Sequence, residues 1–410
     1  MSKPFHYLDN AATSWPKPEV VYRTLDQSFR QMFSPKRGTV HTQVHTPKHN
    51  PSLSDALSLD ECRQVMATFI QAKNPQRIAF TNGCTHALNL AVQAFPWQPG
   101  DGVIISAVEH HALSRPVRKM AREKGIHFHV VPYSDAVPFD LGHYENLLVN
   151  NPIKLVATTH ASNVIGCILP ISEIGALAHH YGAKYLVDAA QSAGFLPIDV
   201  EAMKIDMLAF PGHKSLYGPP GVGVLYVDES VSLNTFMEGG TGGDSGKHEM
   251  HATVPDGLEV GTIALPLIRA MAAGCSWVQQ EELAQIQQQE RALLKRLLEG
   301  MAQIPEVIVY GTQDAAQKTP VVSFNFRQAN HIIMPPKELG ALLTDQFGIA
   351  LRAGFHCAVM AHEAIGSAQH RGTVRASIGH FTQTNDIDAL LNALTLLAQQ
   401  QRSAPAVSHH

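Results

Sequence analysis

Between about residues 77 and 227, short apolar runs alternate with amphipathic stretches. Runs of strand character cover residues 77–81, 103–106, 127–132, 154–160, 184–188, 206–210 and 222–227. Between several of them, apolar positions recur at helical spacing, over 85–95, 113–124 and 171–181. Short buried strands separated by helices predict an α/β fold built on a large, doubly wound, mainly parallel sheet. In such sheets ligands bind beyond the carboxyl ends of the strands. Attention therefore falls on residues 81–85, 109–111, 160–163, 188–191 and 211–214, each following a strand-like run. A glycine-rich stretch at 239–246 reads as a mobile loop. Then comes one strong helical pattern, polar over 279–289 and leucine-rich over 293–298. Strand-like runs at 307–310 and 321–326 and a final amphipathic helix at 384–400 complete the chain. The organisation expected is an N-terminal segment (1–20) packed on a small domain, a large domain (21–274), and a smaller α+β C-terminal domain (275–410).

Composition narrows the function classes. Of 410 residues, 45% are hydrophobic and 16% charged, which suits a globular chain. A net charge of -4 gives no basic field for nucleic acid or an anionic membrane surface. The start, MSKPFHYLDN, lacks the apolar run of a signal peptide, and no uncharged stretch is long enough to span a bilayer. Five widely spaced cysteines without a CxxC pair favour neither a disulfide framework nor a zinc site. A cytoplasmic protein without bound metal is the expectation. His409 and His410 are assigned no role.

Three places carry chemistry. Asp188 ends a strand-like run. Such an acid caps the following turn in many proteins, and equally suits a carboxylate that keeps a cofactor ring nitrogen protonated. Lys214 lies 26 residues later, after another strand, in the Gly/Pro-rich stretch 210–221. A fixed, partly desolvated lysine condenses with aldehydes. Asp for a ring nitrogen and Lys for an aldehyde together point to pyridoxal phosphate (PLP). The third place is 81–86, a strand-to-helix junction. There Gly83 lets the backbone approach an anion, the amides of Cys84, Thr85 and His86 sit at a helix N-terminus, and Thr85 adds a hydroxyl.

These segments belong to a larger set: Tyr7–Thr13, Gly83–Thr85, Val108–His111, Thr159–Gly166, Val187–Gln191, Gly212–Lys214, Gly261–Thr262, Arg352–Cys357 and Val374–Arg375. Together they resemble the class V aminotransferase group of fold-type I PLP-dependent transferases, and within it the cysteine desulfurases. The short-loop, second-group desulfurases, similar to selenocysteine lyases, are the best match. The resemblance implies a role at each position. Lys214 tethers PLP, Asp188 pairs with its ring nitrogen, and Gln191 donates to the ring hydroxyl oxygen. His110 stacks on the ring and serves the chemistry. Asn163 lies near the ring hydroxyl and the substrate carboxylate. Thr85 and His213 bind phosphate, with Thr262 reaching it from a second subunit, which implies a homodimer. Arg375 forks onto the substrate carboxylate, with Ala11 and Arg352 also on the substrate side. Cys357 accepts sulfur as a persulfide and passes it to a thiol or an acceptor protein. L-cysteine would leave as L-alanine.

Two positions depart from the family pattern. Pro211 stands where a Ser or Thr usually gives the phosphate a hydroxyl, and it has neither hydroxyl nor amide hydrogen. Phe355 stands where a second histidine often precedes the cysteine. Alternatives stay open at this stage. His110 and His111 equally suit helix caps, Arg375 a surface ion pair, and Cys357 an inert buried thiol. A PLP lyase acting on selenocysteine, cystine, or a cysteine S-conjugate or sulfoxide needs no nucleophilic thiol. A non-catalytic, PLP-binding sulfur-relay partner needs no turnover. A nicotinamide-binding domain is not supported, because no GxGxxG follows an early strand.

Overall fold

A computed structural model gives the fold and describes residues 5–31, 57–240, 248–250, 253–329 and 331–403. The centre is a seven-stranded sheet of β2 (Ile78–Thr81), β3 (Gly102–Ser106), β4 (His127–Val131), β5 (Ile153–Thr159), β6 (Lys184–Asp188), β7 (Met207–Pro211) and β8 (Gly223–Val227), in the spatial order β2-β8-β7-β6-β5-β3-β4. Only β8 runs against the others. All seven strands expected from the sequence are present, within a residue or two of the expected bounds. Helices cover both faces: α1 (Glu19–Gln31), α2 (Leu59–Phe69), α3 (Cys84–Gln93), α4 (His111–Lys124), α5 (Leu141–Asn150), α6 (Ile171–His180) and α7 (Leu265–Gln280). Both faces of β3, β6, β7 and β8 are therefore buried, and their side chains divide between two apolar clusters.

Local chemistry sets the helix ends. Ser58 and Glu61 form a reciprocal capping box at the start of α2. Asp140 caps α5 by accepting from the His143 amide. Gly125, in the left-handed region, closes α4. A buried fork ties α2 to the chain leading into α7. Arg63 donates to Glu259 Oε2 at 2.7 Å, and Glu259 also accepts from the Phe80 amide at the same distance.

A second layer holds α8 (Leu283–Ala302), β9 (Val307–Tyr310), β10 (Val321–Phe326), α9 (Pro336–Phe347), β11 (Ile349–Ala350), β12 (Arg352–Gly354), α10 (Val359–Ala364), β13 (Thr373–Ser377) and α11 (Thr384–Ser403). Four of these strands make an antiparallel sheet in the order β12-β13-β10-β9. The N-terminal strand β1 (His6–Tyr7) pairs in parallel with β11, and Asp9 bridges to Ser377. Leu8 packs in the core of this layer with Leu294, Phe324 and Leu394.

The single helical pattern expected through 279–298 is two helices. Glu282 breaks it with a φ of +55°. The reason is packing: Met271 and Cys275 of α7 belong to the large core, whereas Leu293 and Leu297 of α8 belong to the small one. The change of core thus falls at 281–282, and the division drawn from sequence between 274 and 275 lies inside α7. Most of the expected loop at 239–246, together with His409 and His410, lies outside the described residues.

Candidate active site

Because β2, β3, β5, β6 and β7 all point one way, their carboxyl ends meet along one edge of the sheet. A cavity of about 300 Å³ opens there. It gathers Ala11, Gly83, Cys84, Thr85, His110, Asn163, Asp188, Gln191, His213, Lys214, Arg352 and Arg375, which are far apart in sequence. Cys357 and Thr262 do not line it.

Asp188 is the last residue of β6 and is buried. Burial pushes its carboxyl pKa up; the Ala190 amide and the Lys214 charge oppose that shift. Lys214 follows β7 and is pushed the other way, its amine lowered by burial against the pull of Asp188. The two groups feel one another electrostatically but form no direct ion pair, and the Lys214 amine has no hydrogen-bond partner among the described residues.

Gly83 precedes α3 with φ +131° and ψ 172°, a region open in practice only to glycine, and no side chain caps the helix. The first amides of α3 therefore lack protein partners on the side that faces the cavity. His110 caps α4: its Nδ1 accepts from the Ala112 amide at 3.0 Å. The bland reading of this residue is thus realised, and the residue lines the cavity as well. With Nδ1 an acceptor, the neutral ring carries its proton on Nε2. Burial, then the Lys214 charge, pushes the His110 pKa down to about 3, so the ring is neutral.

Arg375, also lining the cavity, is fully buried, which removes the surface ion-pair alternative. Its guanidinium donates to Asp9 Oδ1 at 2.8 Å and to the Asn163 carbonyl at 3.0 Å, while its Nε has no partner. Asn163 donates Nδ2 to the His356 carbonyl at 2.8 Å and leaves Oδ1 unpartnered. Gln191 donates to the Ala11 carbonyl at 3.0 Å. His213 Nδ1 is likewise buried without a partner.

Cys357 is exposed, unlike the other four cysteines, so it is no buried core thiol. It sits in a tight turn in which His356 (φ +47°) and Cys357 (φ +58°) are both left-handed. The His111 amide donates to the Cys357 carbonyl at 2.7 Å. Cys357 lines an outer groove of about 850 Å³. Arg352 lines both that groove and the inner cavity, and its Nη2 lies 3.5 Å from Cys357 Sγ. Thr262 is exposed on the surface.

Two residues were assigned no role from sequence. Glu109, fully buried, accepts from the Thr159 amide at 2.9 Å and from Ser106, tying β3 to β5. Burial pushes its carboxyl up to about 8. Asp9 partners Arg375 from 366 residues away. Asp9 was signalled only by its place inside a family-like segment; Glu109 also followed a strand-like run, where ligands bind. Among the described residues no cluster could hold a metal ion, and no helix is long and apolar enough to cross a membrane.

The aminotransferase class-V family matches residues 6–390, and the chain belongs to that family. A probable cysteine desulfurase of Pyrococcus abyssi is 32% identical over 405 residues, covering 97% of this chain and 95% of that protein. One of Mycolicibacterium paratuberculosis is 34% identical over 404 residues; 97% of this chain matches 56% of that longer protein. The apo structure of a cysteine desulfurase from Thermococcus onnurineus NA1 superposes with a TM-score of 0.84 at 29% identity, covering 98% of this chain and 99% of that one.

Proposed function

We propose that this chain is a PLP-dependent cysteine desulfurase that converts L-cysteine to L-alanine and takes the sulfur on Cys357 as a persulfide. One observation carries the reading: a buried carboxylate and a half-buried amine, with no hydrogen-bond partner among the described residues, face one cavity from neighbouring strand ends. The residues present fit the cofactor. An uncapped helix N-terminus with Thr85 suits a phosphate, His213 Nδ1 is a buried, unpartnered ring nitrogen that can donate to it, and space rather than an ion pair separates Asp188 from Lys214. Enzymes of this family in general use PLP.

When bound, PLP supplies an electron sink for negative charge developing at the substrate Cα. Lys214 would tether it, Asp188 would hold its ring nitrogen protonated, and Gln191 would face its ring hydroxyl. Arg375 holds the substrate carboxylate with the N–H groups that Asp9 and Asn163 leave free. Because burial lowers its pKa, the Lys214 amine is a base suited to taking the Cα proton. His110 presents Nε2–H as a neutral donor. Arg352 sits where the Cys357 sulfur would enter to attack the substrate sulfur, its Nη2 already 3.5 Å from that sulfur. A homodimer, with Thr262 completing the partner's phosphate site, belongs to this reading. So does a thiol or protein acceptor for the sulfur.

A second reading follows from the place of Cys357 in the outer groove: a PLP lyase for C–S or C–Se bonds that needs no protein thiol. One experiment separates them. PLP-loaded protein is incubated with cysteine, selenocysteine, cystine and a cysteine S-conjugate; alanine, pyruvate and sulfide are measured while Cys357 is mass-mapped. Alanine with persulfide on Cys357 is expected. Turnover of cysteine with an unmodified Cys357 would favour the lyase, and absence of any product would leave a binding protein.

A further inference from the structure

The two oxygens of Asp188 are not equivalent. Oδ1 accepts two hydrogen bonds, from the Ala190 amide at 2.9 Å and from the Cys84 thiol at 3.4 Å. Oδ2 accepts none from the described residues, and Asp188 lines the cavity. A carboxylate offers about four lone-pair sites, so Oδ2 keeps its accepting capacity for whatever occupies that cavity.

Cys84 reaches Asp188 because of where it falls in the chain. It is the first residue of α3, directly after Gly83. Its amide belongs to the uncapped N-terminus that would meet a phosphate, while its side chain turns to the end of β6. Its sulfur is buried, and both burial and the neighbouring carboxylate keep the thiol protonated. Cys84 is thus a donor here and not a nucleophile.

We propose that Cys84 is a positioning residue for the cofactor. Its S–H and the Ala190 N–H fix Oδ1, so that Oδ2 is held toward a protonated ring nitrogen. The inference rests on the PLP reading of the site and adds a specific task to it: one residue joins the phosphate cradle to the partner of the ring nitrogen. A thiol is a weak donor. It orients the carboxylate while leaving most of its charge for the ring.

The test uses Cys84→Ser, Cys84→Ala and Cys84→Val in the full chain. Thermal melting checks folding, the dissociation constant for PLP is measured by reconstitution, and the absorbance of the bound cofactor is titrated with pH. Cys84→Ala leaves a gap and Cys84→Val adds about one methyl group, both without a donor, so a loss shared by the two separates the missing hydrogen bond from a packing defect. Folded Ala and Val variants should bind PLP about 3- to 10-fold more weakly, the scale of one ordinary hydrogen bond, and should shift the absorbance titration. Cys84→Ser should stay within about twofold of the parent, the hydroxyl replacing the thiol as donor. Ala and Val variants that match the parent in both measurements would overturn the role of Cys84, as would a Ser variant that falls with them. A parent chain that takes up no PLP would overturn the reading of the site itself, a different and separable failure.

Discussion

Arg375 illustrates how single residues acquire their roles here. A guanidinium with no exposure needs partners, and it finds Asp9 from the N-terminal segment and a carbonyl from the loop after β5. Neither partner is near it in sequence. Lys214 is the opposite case, a half-buried amine with no hydrogen-bond partner among the described residues. Lys214→Ala should abolish the yellow chromophore of the PLP-loaded protein and lower turnover by at least ~10²–10⁴-fold, the usual worth of a positioned proton-transfer group. An unchanged spectrum would remove Lys214 from its role. Cys357→Ala should eliminate persulfide formation from cysteine while PLP uptake persists; sulfide and alanine at the parent rate would show that another group accepts the sulfur. The types of both residues were legible in the sequence, because lysine in a Gly/Pro loop and a lone cysteine beside arginine are chemically unusual. The burial of Arg375 and Glu109 was not, because burial depends on everything packed around a residue.

At the scale of elements, the cysteine turn is held from several sides. His111 of α4 and Asn163 of the loop after β5 bond its carbonyls. His356 Nε2 lies 3.0 Å from Thr373 Oγ1, which donates to Ser323 on β10. Gly372 leads into β13 with φ +101°, and a Cβ there would lie 2.2 Å from the Gly354 carbonyl oxygen, just before the turn. Gly372→Ala should therefore cost at least about 1–3 kcal/mol of stability and slow persulfide formation more than PLP binding. Calorimetry and Cys357 mass-mapping would measure the two effects. Most strands of the large sheet were legible because each is a short, nearly continuous apolar run. Helices at Glu19–Gln31, Leu59–Phe69, Leu141–Asn150 and Pro336–Phe347 were not anticipated. The break at Glu282 was not visible either, since helical periodicity runs through it and only allegiance to two different cores interrupts it.

Across the whole molecule, two kinds of buried titratable group oppose each other. Burial holds His110 down to about 3 and His160, His213 and His362 down to about 4. Between those values and about 6.5 the unfolded chain binds protons that the folded chain refuses, so stability rises with pH across that window and levels off above it. Glu109 and Glu290 are pushed up to about 8. For them the folded state holds protons that the unfolded chain has lost, so stability falls as pH rises from about 4.5 to 8. Four histidines outweigh two glutamates below pH ~6.5; above it the glutamates lead until Lys17 and Lys318, both lowered by burial to about 8, begin to lose their protons in the folded state. The melting temperature of the cofactor-free protein should peak near pH ~6.5; a monotonic rise to pH 8 would contradict the assignment of the glutamates. The Arg63–Glu259 fork is the other global constraint. Glu259→Leu should lose about 3–5 kcal/mol in urea unfolding, because a buried guanidinium would lose its carboxylate partner.

What the chain alone determined was chemistry and period: apolar runs of strand length, an acid and a lysine after successive strands, a glycine before a helix, and a cysteine beside arginine. These are local properties, set by side-chain type and spacing. Tertiary structure alone decided which strand ends share an edge, that Asp9 meets Arg375, that Cys84 bonds Asp188, and that Cys357 lies in a groove next to the cavity instead of inside it. Those outcomes arise from contacts between residues tens to hundreds of positions apart, and such contacts exist only once the sheet order and the two cores are set.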